Sequence, residues 1–119
     1  MENIKIYVAN ITGNNICAES EDGQKVYENI KKVLEENKKI SISFKNIEII
    51  TSAFLNTAIG QLLKDFSREE LKEKVSFEDI DNGDKSLLKR VIDTAELYYK
   101  NPEKIKESLK DVLGEEIEK

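Results

Sequence analysis

The feature that most constrains the fold of this chain is a strand that leads into a helix through two hydroxyl residues, Thr51 and Ser52. In residues 40–44 apolar side chains alternate with serines, a pattern that predicts a half-buried strand. After a short apolar stretch, residues 47–50, the hydroxyl pair opens a helix. Apolar positions then recur at helical spacing, at Leu55, Ile59, Leu62, Leu63 and Phe66. A strand followed by an amphipathic helix is typical of α/β domains.

The rest of the chain continues this alternation of strands and helices. The pattern predicts strands over residues 3–9, 16–18 and 75–77, and helices over residues 20–37, 67–72 and 85–100. We therefore predict one α/β domain over residues 1–101, with a small mixed sheet of about four strands and amphipathic helices packed mainly on one face. Beyond Pro102, residues 102–119 are predicted to form a C-terminal amphipathic helix with an acidic tail.

Composition indicates a soluble intracellular protein. The 119 residues are 39% hydrophobic and 36% charged, which is typical of a globular domain. The apolar runs are far shorter than the roughly 20 residues that cross a bilayer, and the N-terminus lacks a basic segment followed by an apolar one. The single cysteine, Cys17, cannot form an internal disulfide. We expect a cytoplasmic protein that does not bind a membrane.

The residues that catalysis most often needs are scarce in this chain. It contains no histidine, which removes the commonest general base and every triad that depends on imidazole. Glycine-rich phosphate-binding motifs are also absent, so the sequence predicts no enzyme, no catalytic residue and no cofactor. A net charge of −5, no basic patch and no tryptophan argue against a nucleic-acid partner.

One acidic segment resembles a calcium-binding loop but fails its spacing. Asp79, Asp81 and Asp84 surround Gly83, yet the glycine comes one position early. The twelfth position holds Arg90, where such a loop needs a bidentate glutamate. We therefore interpret the segment as a solvated turn whose acids cap the next helix, and we predict no metal site.

The hydroxyl pair has a structural and a functional interpretation. Thr51 or Ser52 is first an N-cap of the helix, worth roughly 1 kcal/mol relative to alanine. A hydroxyl at a helix N-terminus is also a modifiable group beside backbone N–H donors. Phe54 lies toward the edge of the apolar stripe and is expected to be half-exposed, while Asn56 falls off the stripe. Thr51, Phe54 and Asn56 are thus a candidate interface around Ser52.

Several short motifs in this region resemble those of the STAS superfamily. They are Ser43-Phe44, residues 50–56, residues 58–62 and residues 88–92. The chain resembles most closely a STAS-like family of small bacterial proteins, over roughly residues 16–99, and is distantly similar to the anti-sigma factor antagonists of the superfamily. This resemblance implies a single STAS-like α/β domain.

The resemblance also implies a role for the hydroxyl pair. In the antagonists the corresponding junction reads Asp-Ser-Ser-Gly-Leu, and a partner kinase phosphorylates a serine in it. When the motifs are aligned on Leu55, Ser52 takes the position of the first serine, which makes it the candidate phosphosite. Thr51 stands where the antagonists have aspartate, and Phe54 stands where they have glycine. A GHKL-type ATPase kinase is the partner that the resemblance implies.

Three functional hypotheses follow from the sequence. The first is a non-catalytic regulatory protein-interaction module, switched by phosphorylation at Ser52. The second is a constitutive adaptor or homodimer that is never phosphorylated. The third, a small enzyme, would need a deep polar pocket with clustered carboxylates, and the sequence selects no such cluster.

Overall fold

The computed structural model describes residues 2–100, so the predicted C-terminal helix, residues 102–119, lies outside the described part of the chain. In chain order the elements are β1 (Asn3–Tyr7), α1 (Val8–Thr12), β2 (Ile16–Cys17), α2 (Ser20–Glu35), β3 (Lys39–Ser43), β4 (Ile49–Ile50), α3 (Ser52–Leu55), a π turn (Asn56–Gly60), α4 (Leu62–Asp65), α5 (Arg68–Lys74), β5 (Val75–Glu78) and α6 (Asn82–Lys100). The predicted α/β alternation is confirmed.

The strands form two separate parallel sheets. β1, β3 and β5 make a three-stranded sheet with β3 in the centre, and β2 pairs with β4. The predicted single mixed sheet of about four strands is therefore wrong in strand number and in direction. The reason is α1, which follows β1 directly at Val8. A helix and not a hairpin turn follows β1, and β2 pairs with β4.

Helices cover one face of the larger sheet, as the sequence predicts. Alternate residues of each strand point to opposite faces, and the in-register pairing puts the apolar residues of all three strands on the same face. These residues are Ile4, Ile6, Ile40, Ile42, Val75 and Phe77. On the other face Ser41 and Ser76 share a hydroxyl–hydroxyl hydrogen bond of 3.0 Å. The apolar core therefore lies between one face of the sheet and the helices.

The predicted start of α5 is confirmed in detail, whereas α6 starts earlier than predicted. Ser67 accepts a hydrogen bond from the backbone N–H of Glu70, and the Glu70 carboxylate accepts one from the N–H of Ser67, which is a complete capping box. Asp81 accepts a hydrogen bond from the N–H of Asp84 at 2.8 Å and so caps the start of α6. Residues 82–84, predicted as part of a turn, are thus the first residues of α6, because the Asp81 side chain caps the helix before them.

Residues 52–65 form one continuous helical segment that contains the π turn. The residues at both ends of the turn have right-handed helical backbone angles. The buried side chains of this segment recur in strict steps of four: Phe54, Ala58 and Leu62 form one row, and Leu55, Ile59 and Leu63 form the other. An ordinary α-helix has 3.6 residues per turn, so steps of four would drift off the core-facing side. The wider π turn keeps both rows on the core.

Gly23 lets α2 and the helical segment come unusually close. A Cβ atom at Gly23 would lie 2.7 Å from the carbonyl oxygen of Phe54 and 2.9 Å from the Cβ of Thr57. Gly60 also faces a neighbouring helix, but a Cβ there would lie 3.4 Å from the Cβ of Ala95 in α6, an ordinary contact. Of the two glycines, only Gly23 is needed for the close approach of α2 to the helical segment.

We predict that Gly23→Ala lowers the free energy of unfolding by about 1–3 kcal/mol, because the added methyl group meets a backbone oxygen that cannot move aside alone. Helix propensity by itself would favour alanine by about 1 kcal/mol, so the sign of the effect is diagnostic. Gly60→Ala is the matched control and should be as stable as the wild type or more so. Urea unfolding of the three proteins measures this, and equal stability of Gly23→Ala and wild type would contradict the close approach.

Candidate functional site

The junction between β4 and the helical segment is built on the small β2–β4 sheet. Ile16 pairs with Ile49 and Cys17 with Ile50 in a parallel register. The backbone N–H of Thr51 then donates to the carbonyl of Cys17 at 3.0 Å, which continues the pairing by one residue. The helix therefore starts from a fixed position against β2.

Thr51 is the N-cap of the helix. Its Oγ1 accepts a hydrogen bond from the backbone N–H of Phe54 at 3.2 Å and donates one to the carbonyl of Ala18 at 3.0 Å. The hydroxyl thus satisfies one of the free N–H groups of the first turn and ties that turn to the segment after β2. Because this oxygen is engaged in both directions, its role is structural. The place of Thr51 in the candidate interface stays a prediction.

Ser52 is the first residue of the helix and is exposed. The sequence left open whether Thr51 or Ser52 is the cap, and the structure assigns the cap to Thr51. The hydroxyl of Ser52 consequently lies at the positive end of the helix dipole and does not cap the helix. Exposure is what a modifiable side chain requires.

Phe54 does not belong to the surface. Its side chain is 0% exposed and lies in the core beside Leu55. The half-exposed ring predicted from the sequence is therefore wrong. That prediction placed Phe54 on a regular α-helix, whereas the π turn rotates the first helical turn so that Phe54 follows the buried row through Ala58. The predicted interface thus loses its aromatic member.

Asn56 is exposed, as its position off the apolar stripe predicts, and it begins the π turn. It lies one turn after Ser52, beside Ala53, which is exposed as well. These three small side chains form the outer face of the first two helical turns.

Sequence reasoning missed two apolar members of this surface, Ile16 and Ile49. Their side chains are 41% and 50% exposed, although both are large and apolar. Because they pair in register across β2 and β4, they lie side by side on one face of the small sheet. The available signal was that each two-residue strand is apolar at both positions, so that one of its side chains has to face outward.

We call the set Ile16, Ile49, Ser52, Ala53 and Asn56 the junction surface. It combines an exposed apolar pair with the small side chains of Ser52, Ala53 and Asn56 at a helix N-terminus. Paired exposed apolar side chains with a polar rim are typical of protein-binding surfaces.

Cys17, the neighbour of Ile16 in β2, belongs to the hydrophobic core. Its side chain is 0% exposed. Burial, together with the nearby charge of Asp22, raises the pKa of the Cys17 thiol to about 11. The reactive form of cysteine is the thiolate, which is scarce at neutral pH under these conditions.

Within residues 2–100, no three histidine, cysteine, aspartate or glutamate side chains come together as a metal site would need. None of the helices in this part of the chain is both long and apolar enough to cross a bilayer.

Comparison with known families agrees with the fold. The model of the family described as "STAS-like domain of unknown function (DUF4325)" matches residues 22–85, more than half of the chain. The chain belongs to this family of STAS-like domains. The matched region runs from the first turn of α2 to the start of α6 and so contains the helical half of the junction surface. No curated protein and no solved structure shows significant similarity to the chain.

We predict that iodoacetamide modifies Cys17 of the folded protein far more slowly than it modifies a free thiol at pH 8, because the thiol is buried and its pKa is raised. Raising the pH toward 11 should increase the rate. In denaturant Cys17 should react like a model thiol. Mass spectrometry of timed samples follows the reaction, and rapid labelling of the folded protein would show that the small sheet opens easily.

The capping geometry predicts a large effect for one substitution and almost none for its neighbour. Thr51→Val, which keeps the shape but removes the hydroxyl, should lower the free energy of unfolding by about 1–2 kcal/mol. Ser52→Ala should change it by less than about 0.5 kcal/mol, because the structure gives Ser52 no capping duty. Thr51→Ser is the control that retains the cap. Urea unfolding tests all three, and a larger loss for Ser52→Ala than for Thr51→Val would assign the cap to Ser52.

Proposed function

We propose that this domain is a non-catalytic, regulatory protein-interaction module that docks a protein partner through the junction surface. The observation that carries the proposal is the exposed Ile16–Ile49 pair beside the start of the helix. When the domain is alone, an exposed apolar pair lowers its solubility. A partner that covers the pair removes apolar surface from water, which favours binding.

The rigidity of the surface supports this role. The strands are paired, and the helix start is tied to β2 by the backbone and the hydroxyl of Thr51. The close contact between Gly23 of α2 and the helical segment adds to this rigidity. A preformed surface loses little conformational freedom on binding, which favours affinity.

Charges near the surface indicate what kind of partner fits. Glu19 follows β2 and Glu48 precedes β4, and both are exposed. A partner with an apolar centre and basic residues at its rim would complement this arrangement. The resemblance to the anti-sigma factor antagonists makes a GHKL-type ATPase kinase our proposed partner.

Ser52 is the proposed control point of this interaction. A phosphate group there would add nearly two negative charges to a surface flanked by Glu19 and Glu48. The helix N-terminus would stabilise that charge within the domain. A partner that places apolar or acidic groups over Ser52 would then be released, so phosphorylation would regulate docking without unfolding the domain.

The main alternative is a constitutive adaptor or a homodimer, and the same apolar pair favours it. Two copies could cover Ile16 and Ile49 against each other without any modification. Analytical ultracentrifugation of the purified protein separates the cases, since a stable dimer that buries Ile49 would remove the surface from other partners. The third alternative, a small enzyme, requires clustered polar groups that the junction surface does not bring together.

The proposal predicts different effects for two equally exposed apolar residues. After the partner is purified from the native cell and identified by mass spectrometry, Ile49→Thr should weaken its binding by at least tenfold, because the centre of the interface loses apolar contact. Leu97→Thr, in the last turns of α6, is the matched control, since Leu97 is 44% exposed in the wild type. Its affinity should be unchanged. Equal effects of both changes in calorimetry would contradict docking at the junction surface.

Phosphorylation is tested separately. Ser52→Asp should weaken binding of the same partner by about fivefold or more, which corresponds to about 1 kcal/mol. Its melting temperature should stay near that of the wild type. Ser52→Ala should bind like the wild type, since only a charge is expected to release the partner. If all three proteins bind equally, the phosphorylation switch is excluded and the constitutive adaptor remains.

A further inference from the structure

A cavity of about 350 Å³ opens between the end of the helical segment, α5, β5 and α6. Six apolar side chains line it: Ile59, Leu62, Leu71, Val75, Phe77 and Ile92. None of them belongs to the junction surface, so this site is independent of the proposed docking function. Protein interiors are normally packed without voids much larger than a water molecule. A cavity of this volume falls instead in the size range of small-molecule sites.

Two cations of α5 also line the cavity. Arg68 and Lys72 are four residues apart and therefore lie on the same face of the helix, toward the opening. Their side chains reach solvent, whereas the apolar residues form the walls. The cavity thus has an apolar interior and a cationic mouth.

Hydrogen bonds hold Arg68 in a fixed orientation. Its Nη1 donates to Asp93 at 2.6 Å and to Glu96 at 3.3 Å, both on α6. A guanidinium group has five N–H donors, and these contacts use only one of its three nitrogens. The donors on Nε and Nη2 are engaged by neither contact.

The two carboxylates beside Arg68 do not cancel the positive charge of the mouth. Asp93 also pairs with Lys89 at 3.0 Å, and Glu96 pairs with Lys100 at 3.6 Å. Each carboxylate therefore has its own second cation, and hydrogen bonds from Lys89 and Arg68 lower the pKa of Asp93. Lys72 takes part in none of the ion pairs among residues 2–100. Its ammonium group adds to the attraction for an anion.

We propose that this cavity binds a small amphiphilic carboxylate, with its apolar body between the walls and its carboxylate at Arg68 and Lys72. An apolar body gains free energy by leaving water for the lined interior. The planar, two-pronged guanidinium edge matches the two oxygens of a carboxylate, and Lys72 supplies a second contact. Both features are needed, so a purely apolar molecule and a short carboxylate are poorer ligands.

Calorimetry of the full chain with decanoate tests the proposal, with decanol and acetate as matched controls for the charge and for the apolar body. We expect decanoate to bind at least fivefold more tightly than decanol and acetate not to bind. In an amide NMR spectrum the decanoate-dependent shifts should concentrate in α5, β5 and the centre of α6. Absence of decanoate binding, equal binding of decanol, or shifts confined to the junction surface would each overturn the proposal.

Two variants locate the ligand. Lys72→Gln should weaken decanoate binding at least threefold and leave decanol binding unchanged. Lys32→Gln, on the exposed side of α2, is the matched control and should change the binding of neither compound. Ile92→Trp fills the cavity and should abolish binding if its melting curve shows that it folds. If it does not fold, the Lys72→Gln and Lys32→Gln pair decides alone, and equal effects of that pair would refute a role for the cationic mouth.

Discussion

The close contact between α2 and the helical segment of residues 52–65 is the constraint on which the rest of the domain depends. At Gly23 the two backbones approach within a distance that excludes any side chain. This contact involves the backbone of Phe54, whose side chain is buried in the core, and it sets the position of the first helical turn. Thr51 then ties the same turn to β2. The position of the junction surface is thus determined by backbone packing and by one hydroxyl group.

The sequence predicted the parts of the fold that depend on local chemistry. The alternating strand β3, the amphipathic α2 and the capping box at Ser67 and Glu70 were all predictable, because periodicity and capping are properties of neighbouring residues. The pairing of β2 with β4 was not predictable, since it joins residues that are far apart in the sequence. Of the candidate site, the exposure of Ser52 and Asn56 was predictable, whereas Ile16, Ile49 and the burial of Phe54 required the three-dimensional arrangement.

One helical element connects the two surfaces for which we propose functions. Its first turns carry Ser52 and Asn56 of the junction surface, and its later turns carry Ile59 and Leu62 of the cavity. Gly60, between them, packs on α6 near Ala95. The strongly paired sheet and the close helix contacts give this element a fixed place in the domain. Both surfaces therefore share one helical segment.

The π turn bears on how this chain is compared with other STAS domains. A π turn accommodates one residue more than the α-helical turn it replaces. A relative with an uninterrupted α-helix would need a one-residue gap between Asn56 and Gly60 for its later positions to coincide in space with those of this chain. An ungapped alignment that is anchored on Leu55 equates residues that stand about 100° apart around the helix axis on the other side of the turn. Correspondences for positions after the turn, such as Leu62 and Leu63, therefore have to be judged from superposed helices rather than from sequence columns.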